Sequence, residues 1–175
     1  MGNPSLNHRY RKGFYSLFKT LQQNQSDPIL LALDEFPRLV YMPAFTDAIS
    51  TLRSRNVSVM ILLQSLAQLD KIYQENGRKV IMDNMHYVVV HNALDNTSQK
   101  YFSERAGAKT AVIKSRNRGS GGATSYNPQS VPLIRPEDFA TLKQPILYAY
   151  NLGVTRVDKA YWFKNNRMKS LVNQG

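Results

Sequence analysis

Ile29-Leu30-Leu31-Ala32-Leu33-Asp34-Glu35-Phe36 is an apolar run that ends abruptly in two adjacent carboxylates. Nothing polar interrupts it, which is the pattern of a strand covered on both faces, as in a parallel sheet with helices packed either side. Downstream, Pro43 suits the first turn of a helix. Phe45, Ala48, Ile49 and Leu52 follow at i, i+3, i+4 and i+7, a single apolar stripe that would dock on the sheet. Residues 57–63 form a second apolar, β-branched run, and it stops at Gln64-Ser65 much as the first stops at Asp34-Glu35. In an open parallel sheet the carboxyl ends of the strands border the ligand crevice, so both polar endings belong on one edge. Strand, helix and strand in this order give an α/β fold with a mainly parallel sheet.

Working outward, residues 1–28 place Phe14, Tyr15, Leu17, Phe18 and Leu21 at spacings of three and four, one amphipathic helix broken by Asp27-Pro28. Residues 66–84 read as a helix interrupted at Asn76-Gly77, and residues 87–90 as a third buried strand ending at His91-Asn92. Asp95 can cap a helix running through Arg105, with Gly107 closing it. A fourth strand is expected over residues 110–114. Residues 115–129, rich in Gly, Ser and Pro, read as a flexible loop. Pro136-Glu137-Asp138 opens a short helix, residues 145–150 form a last apolar strand and residues 154–163 an edge strand. The tail from Lys164 is basic and offers little beyond Leu171 and Val172 for packing, so it is expected to fray.

The 175 residues suffice for one sizeable core, and 42% apolar with 20% charged residues is ordinary for a globular domain. Lys and Arg number 23 against 12 Asp and Glu, and the net charge of +11 calls for an anionic partner: nucleic acid, nucleotide or a membrane surface. The absence of cysteine removes disulfides, thiolate chemistry and Cys-based metal sites, and three scattered histidines argue against a metal centre. No stretch approaches the roughly 18 consecutive apolar residues of a membrane span, so the piece in hand reads as soluble, and any anchor would precede Met1.

The acid-tipped strand looks like a Walker B motif. In such a motif the aspartate, here Asp34, holds magnesium at nucleotide phosphates, while the adjoining glutamate, Glu35, orients the attacking water. Its usual companion, a phosphate loop G-x-x-x-x-G-K-[ST], occurs nowhere in the chain: Gly119, Gly121 and Gly122 lack the Lys-Ser/Thr that must follow. Gln64, on the neighbouring strand end, could hydrogen-bond the water and a phosphate oxygen; the same residue also suits a turn or cap. Arg53 and Arg55 have the chemistry of an arginine finger, yet their spacing alone favours two solvated cations at a helix end. Lys114, Arg116 and Arg118, with Tyr126 beyond, could track a single-stranded backbone and stack a base, or form an ordinary solvated loop. His86 and His91 flank a buried strand and read as packing residues.

Taken together, Leu31-Ala32-Leu33-Asp34-Glu35-Phe36-Pro37-Arg38-Leu39, Met42-Pro43-Ala44-Phe45, Thr51-Leu52-Arg53 and Leu62-Leu63-Gln64-Ser65-Leu66-Ala67-Gln68-Leu69 resemble the TraG/TraD-like conjugative coupling proteins of type IV secretion systems. Ile72-Tyr73, Ile81-Met82-Asp83-Asn84 and Pro145-Ile146-Leu147 extend the similarity over most of residues 25–155. The resemblance implies a RecA-like, P-loop NTPase-type motor domain, of which residues 1–163 would be the Walker B half and residues 164–175 a basic tail. It implies a homo-hexamer at the cytoplasmic face of the bacterial inner membrane. That ring would use ATP and Mg2+ to move single-stranded DNA or protein substrate, with relaxosome and secretion-channel proteins as partners. By position, Asp34 and Glu35 would be the Walker B acids, Gln64 the sensor and Arg53 a trans-acting finger. The chain departs from the pattern at Val40-Tyr41, where the family often has Gly and a basic residue, and in lacking the phosphate loop and membrane helices.

With no backbone amides and lysine to grip phosphate, the chain alone is expected to hydrolyse ATP poorly or not at all and to hold no nucleotide tightly. Two other readings compete. A stand-alone basic nucleic-acid or relaxosome-binding module would bind single-stranded DNA without nucleotide dependence, and an inactive structural fragment would fold poorly and expose an apolar patch.

Overall fold

The computed structural model describes residues 4–23, 26–39, 41–116 and 124–173. The chain divides into two units, Met1–His86 and Tyr87–Gly175.

In the first unit, α1 (Pro4–Leu21), α2 (Pro43–Leu52) and α3 (Leu66–Asp83) accompany two strands, β1 (Ile29–Leu33) and β2 (Val57–Ile61). The strands pair in parallel, Ile29 opposite Val57 through Leu33 opposite Ile61, with α2 as the crossover. Alternation decides what each strand buries. Ile29, Leu31, Leu33, Val57, Val59 and Ile61 face a core containing Phe18, Leu21, Phe36, Phe45, Leu52, Leu69, Tyr73 and Ile81. Leu30, Met60 and Leu62 point the other way and are 63%, 46% and 45% exposed. Among the described residues of this unit, the expected cover on both faces is therefore found on one. An unbroken apolar run encodes the wish to be covered, not the presence of a cover. In α1, Phe18 and Leu21 enter the core while Tyr15 and Leu17 stay exposed.

Ser65 Oγ caps α3 by accepting from Gln68 N at 3.2 Å. The helix breaks as expected, but at Gln74 (φ 56°, ψ 175°) and not at Asn76-Gly77. That conformation is close to glycine-only territory. Gly77 serves packing instead. A Cβ there would sit 2.9 Å from Tyr73 Cβ, so only glycine lets the second half of the helix approach Tyr73.

The second unit is antiparallel. β3 (Tyr87–Val90) pairs with β6 (Ile146–Ala149), which pairs with β7 (Gly153–Arg156). Between β3 and β6 lie α4 (Asn96–Ala106), β4 (Ala108–Arg116) and β5 (Thr124–Pro132), and a 3-10 turn at Pro136–Thr141. The mainly parallel sheet expected from the sequence is thus realised in β1 and β2, whereas the other pairings among the described residues are antiparallel. Apolar runs do not encode strand direction. β3 also differs from its expected double cover, since Tyr87 and Val89 are exposed. Phe102 of α4 packs 5.8 Å from Tyr148 and 6.1 Å from Phe139, ring centroid to centroid. Burial pushes the Tyr148 phenol well above its usual range, and its hydroxyl donates to Phe102 O at 2.5 Å. Asp95 Oδ1 caps α4 by accepting from Ser98 N, and Gly107 ends it at φ 83°, as expected.

One expectation is overturned here. Residues 124–129, expected in a loop, belong to β5, which pairs with β4 over nine positions from Ala108 opposite Pro132 to Arg116 opposite Thr124. The Gly/Ser/Pro composition hid a strand whose order comes from its partner. Within the tail lies α5 (Asn166–Val172), capped by Asn165 Oδ1 accepting from Met168 N at 3.1 Å.

Candidate catalytic cleft at the ends of β1 and β2

Because β1 and β2 run parallel, their carboxyl ends share an edge. Leu62 N donates to Leu33 O at 2.9 Å and Phe36 N to Leu62 O at 3.0 Å, so the pairing continues past the last regular ladder position and fixes the acid-bearing turn to the β2 end. Buried Phe36 anchors that turn, stacked on Tyr73 with ring planes 9° apart.

Glu35 takes the left-handed conformation, φ 46° and ψ 42°, which is uncommon for a residue other than glycine, asparagine or aspartate. Asp34 Oδ1 accepts from Glu35 N at 2.8 Å, and Glu35 O accepts from Arg38 N at 2.7 Å, so the strained turn is held from both sides. Pro37 lies in the first turn of the 3-10 segment Phe36–Arg38 that follows. Arg38 Nη1 then reaches back to Glu35 Oε2 at 2.9 Å.

Glu35 and Gln64 line one cleft of about 250 Å³ together with Pro37, Arg38, Gln68, Lys71 and Ile72. Gln68 Nε2 donates to Gln64 Oε1 at 3.2 Å, which steadies the amide from one helical turn away. One carboxylate, two amides and two cations therefore face a common space. With Arg38 and Lys71 outweighing Glu35, the lining suits an anion next to a polarised water.

The other residues singled out in the sequence lie elsewhere. Asp34 adjoins the cleft without lining it, its carboxylate engaged with the turn. Arg53 stands at the end of α2, where Nη1 is 2.6 Å from His86 Nε2. Lys114 sits on β4 of the second unit, 5.8 Å from the Tyr126 ring centroid, and Arg116 ends the same strand. Arg118 lies outside the described residues. The cleft adds Arg38, Gln68 and Lys71 to the residues expected from the sequence. Their signal was spacing: Gln68 and Lys71 follow Gln64 by four and seven, one helical face, and Arg38 follows Glu35 by three.

Among the described residues no cluster of three or more acids or histidines could cage a metal ion. A lone carboxylate such as Asp34 suits Mg2+ only where water and substrate phosphates complete its shell. The residues present thus fit the acid and water side of a nucleotide site; the phosphate cradle is absent from the sequence.

Sequence and fold similarity lead to one class of protein. A family model described as the TraM recognition site of TraD and TraG matches residues 28–144, and the chain belongs to that family, the C-terminal part of the type IV coupling proteins. It is 26% identical over 149 residues to the protein VirD4 of Rhizobium rhizogenes, covering 82% of this chain and 22% of that one. Over 169 residues it is 25% identical to the type IV secretion system-coupling protein VirD4 of Bartonella quintana, covering 92% and 26%. The chain thus spans about a quarter of the length of these relatives. Among solved structures, the conjugative coupling protein TrwBdeltaN70 in its unbound form shares the fold, with a TM-score of 0.67 at 17% identity over 83% of this chain and 35% of that one. TrwB in complex with ADP and Mg2+ also scores 0.67 at 17% identity, over 90% and 39%.

Proposed function

We propose that this chain supplies the water-activating side of a RecA-like, P-loop NTPase-type coupling ATPase, and that a phosphate-gripping stretch of polypeptide outside these residues completes the site. The observation that carries this reading is the convergence of Glu35 and Gln64, from the ends of two parallel strands, on one cleft lined by Arg38 and Lys71. Glu35 accepts a hydrogen bond from water and draws on its proton; Gln64, held by Gln68, orients that water; Arg38 and Lys71 balance anionic oxygens. Asp34 would hold Mg2+ through water, and that ion would supply charge neutralisation at the phosphates. Arg53 does not line its own cleft, which suits a finger offered to a neighbouring subunit of a homo-hexamer.

In the complete protein this motor would work at the cytoplasmic face of the bacterial inner membrane, transferring single-stranded DNA or protein substrate. A TraM-type relaxosome protein is the partner suggested by the family description. For the nucleic acid, the β4–β5 hairpin is the favoured contact. Val112 and Lys114 share a face with Tyr126, Arg116 follows on the same strand, and residues 108–132 contain no acid. Arg118, by sequence, would extend the same basic track.

Hydrolysis tests the reading. The chain alone should show no ATPase activity with or without single-stranded DNA. When it is joined to a phosphate-loop polypeptide of a coupling protein, hydrolysis should appear and Glu35→Gln should abolish it while nucleotide remains bound. A Glu35-dependent rate in the chain alone would overturn the incomplete-site reading, and unimpaired hydrolysis by Glu35→Gln in the joined protein would remove the catalytic assignment.

A further inference from the structure

Residues 159–175 carry Lys159, Lys164, Arg167 and Lys169 without a single acid, and they lie beyond the stretch matched by the family model. Three consecutive aromatic residues, Tyr161, Trp162 and Phe163, are 45%, 51% and 49% exposed. They do not scatter into solvent independently. The Phe163 ring lies 5.4 Å from that of Tyr161 and 6.0 Å from that of Trp162, centroid to centroid, and Lys164 Nζ lies 5.2 Å from the Tyr161 centroid. A 3-10 turn at Trp162–Lys164 leads through the Asn165 cap into α5.

On α5 the exposed apolar residues are Met168, Leu171 and Val172, at i, i+3 and i+4. At about 100° per residue they occupy an arc of roughly 100°, with Lys169 at one border and Arg167 at the other. A helix folded into a core has no use for an exposed stripe. A helix lying at a membrane surface needs an apolar face with cations at its flanks, and tryptophan and tyrosine at the level of the headgroups.

We infer that residues 159–172 form a peripheral membrane-binding element that rests on an anionic lipid surface, the aromatic cluster and the Met168/Leu171/Val172 stripe entering the headgroup boundary and the four cations pairing with lipid charge. Charge selects an anionic partner. The Tyr161, Trp162 and Phe163 rings suit either partner, but the aliphatic stripe favours lipid over nucleic acid, because Met168, Leu171 and Val172 offer a base nothing to stack on. The element is short and offers limited apolar area, so binding is reversible and needs both signals together, apolar area and charge. This inference is independent of the ATPase reading: it uses no residue of the cleft.

Trp162 is the single tryptophan of the chain, so its fluorescence reports on this element alone. The full chain is titrated with vesicles of phosphatidylcholine containing about 30% phosphatidylglycerol, with pure phosphatidylcholine vesicles and with a single-stranded oligonucleotide. The expected result is a blue shift with anionic vesicles that is lost in pure phosphatidylcholine. Leu171→Ser/Val172→Ser, which keeps Trp162, should weaken partitioning about tenfold, and Lys164→Gln/Arg167→Gln/Lys169→Gln by at least as much. Co-flotation of Tyr161→Ser/Trp162→Ser/Phe163→Ser should fall to the level of pure phosphatidylcholine. Each of three outcomes overturns the proposal: no shift with anionic vesicles, full flotation of the aromatic triple variant, or a shift that depends on protein concentration and ignores lipid, the sign of self-association. Quenching by the oligonucleotide with no response to vesicles would assign the element to nucleic acid instead. Because every substituted side chain is exposed, unchanged circular dichroism is the expected control.

Discussion

Asp70 Oδ1 and Arg78 Nε stand 2.6 Å apart across the break in α3, one on each side of Gln74. The ion pair ties the two helical segments at the point where the backbone ladder is interrupted. Arg78 is buried and Asp70 is partly so, which makes the pair sensitive to the loss of one partner. Asp70→Asn leaves a buried guanidinium short of its counter-charge and should cost about 2–3 kcal/mol. A lower urea midpoint at constant m would register it; an unchanged midpoint would show that the break needs no tie.

Gln74 holds a backbone conformation that glycine adopts freely. Gln74→Gly should therefore raise stability by about 1 kcal/mol, while Gln74→Ala, which keeps a Cβ, should give no such gain. At Gly77 the sign reverses: Gly77→Ala drives a methyl group into Tyr73 and should destabilise. Thermal unfolding of the three variants checks both signs.

Burial pushes the Tyr73 phenol from its ordinary value of 10.0 up to about 12, partly offset by the backbone of Met42. The folded state therefore holds this proton more tightly than the unfolded chain does. Its stabilising contribution is complete below pH 10 and drains away as pH rises through about 12. Tyr73→Phe should flatten the fall of stability over that window relative to the unmodified chain. Parallel slopes in denaturation series from about pH 9 to about pH 12 would contradict the assignment.

Glu35 sits in a left-handed turn, and its ion pair with Arg38 is solvent-exposed. Exposed pairs are worth little, roughly 0–1 kcal/mol, so Glu35→Gln should move the unfolding free energy by no more than about 0.5 kcal/mol. Glu35→Gly should be at least as stable as the native chain. An unchanged stability would leave Glu35→Gln a clean probe of the proposed chemistry, and a large loss of stability would argue for a structural role.

On the hairpin, Tyr126→Ala should weaken single-stranded DNA binding by about 1–3 kcal/mol if a base stacks on the ring. Lys114→Gln should reduce the slope of log affinity against log salt by about 1. Fluorescence anisotropy across a salt series measures both.

The acid-tipped and amide-tipped strands were legible because a polar break after an apolar run marks both the strand and its end. The α2 stripe was legible because Phe45, Ala48, Ile49 and Leu52 repeat at helical period and all are buried. β5 was not, since its Pro128 and Pro132 are tolerated on a strand whose outer edge is open, and only the pairing with β4 reveals the strand. Nor does anything about a glutamine announce a positive φ such as that at Gln74. Arg38 and Lys71 are not legible in the sequence because a surface cation has no local signature until a turn folds it over a cleft.

Leu30, Met60 and Leu62 turn an oily wall of the β1–β2 pair toward water. Any polypeptide that settles on that wall stabilises this chain by mass action, in proportion to the logarithm of its own concentration.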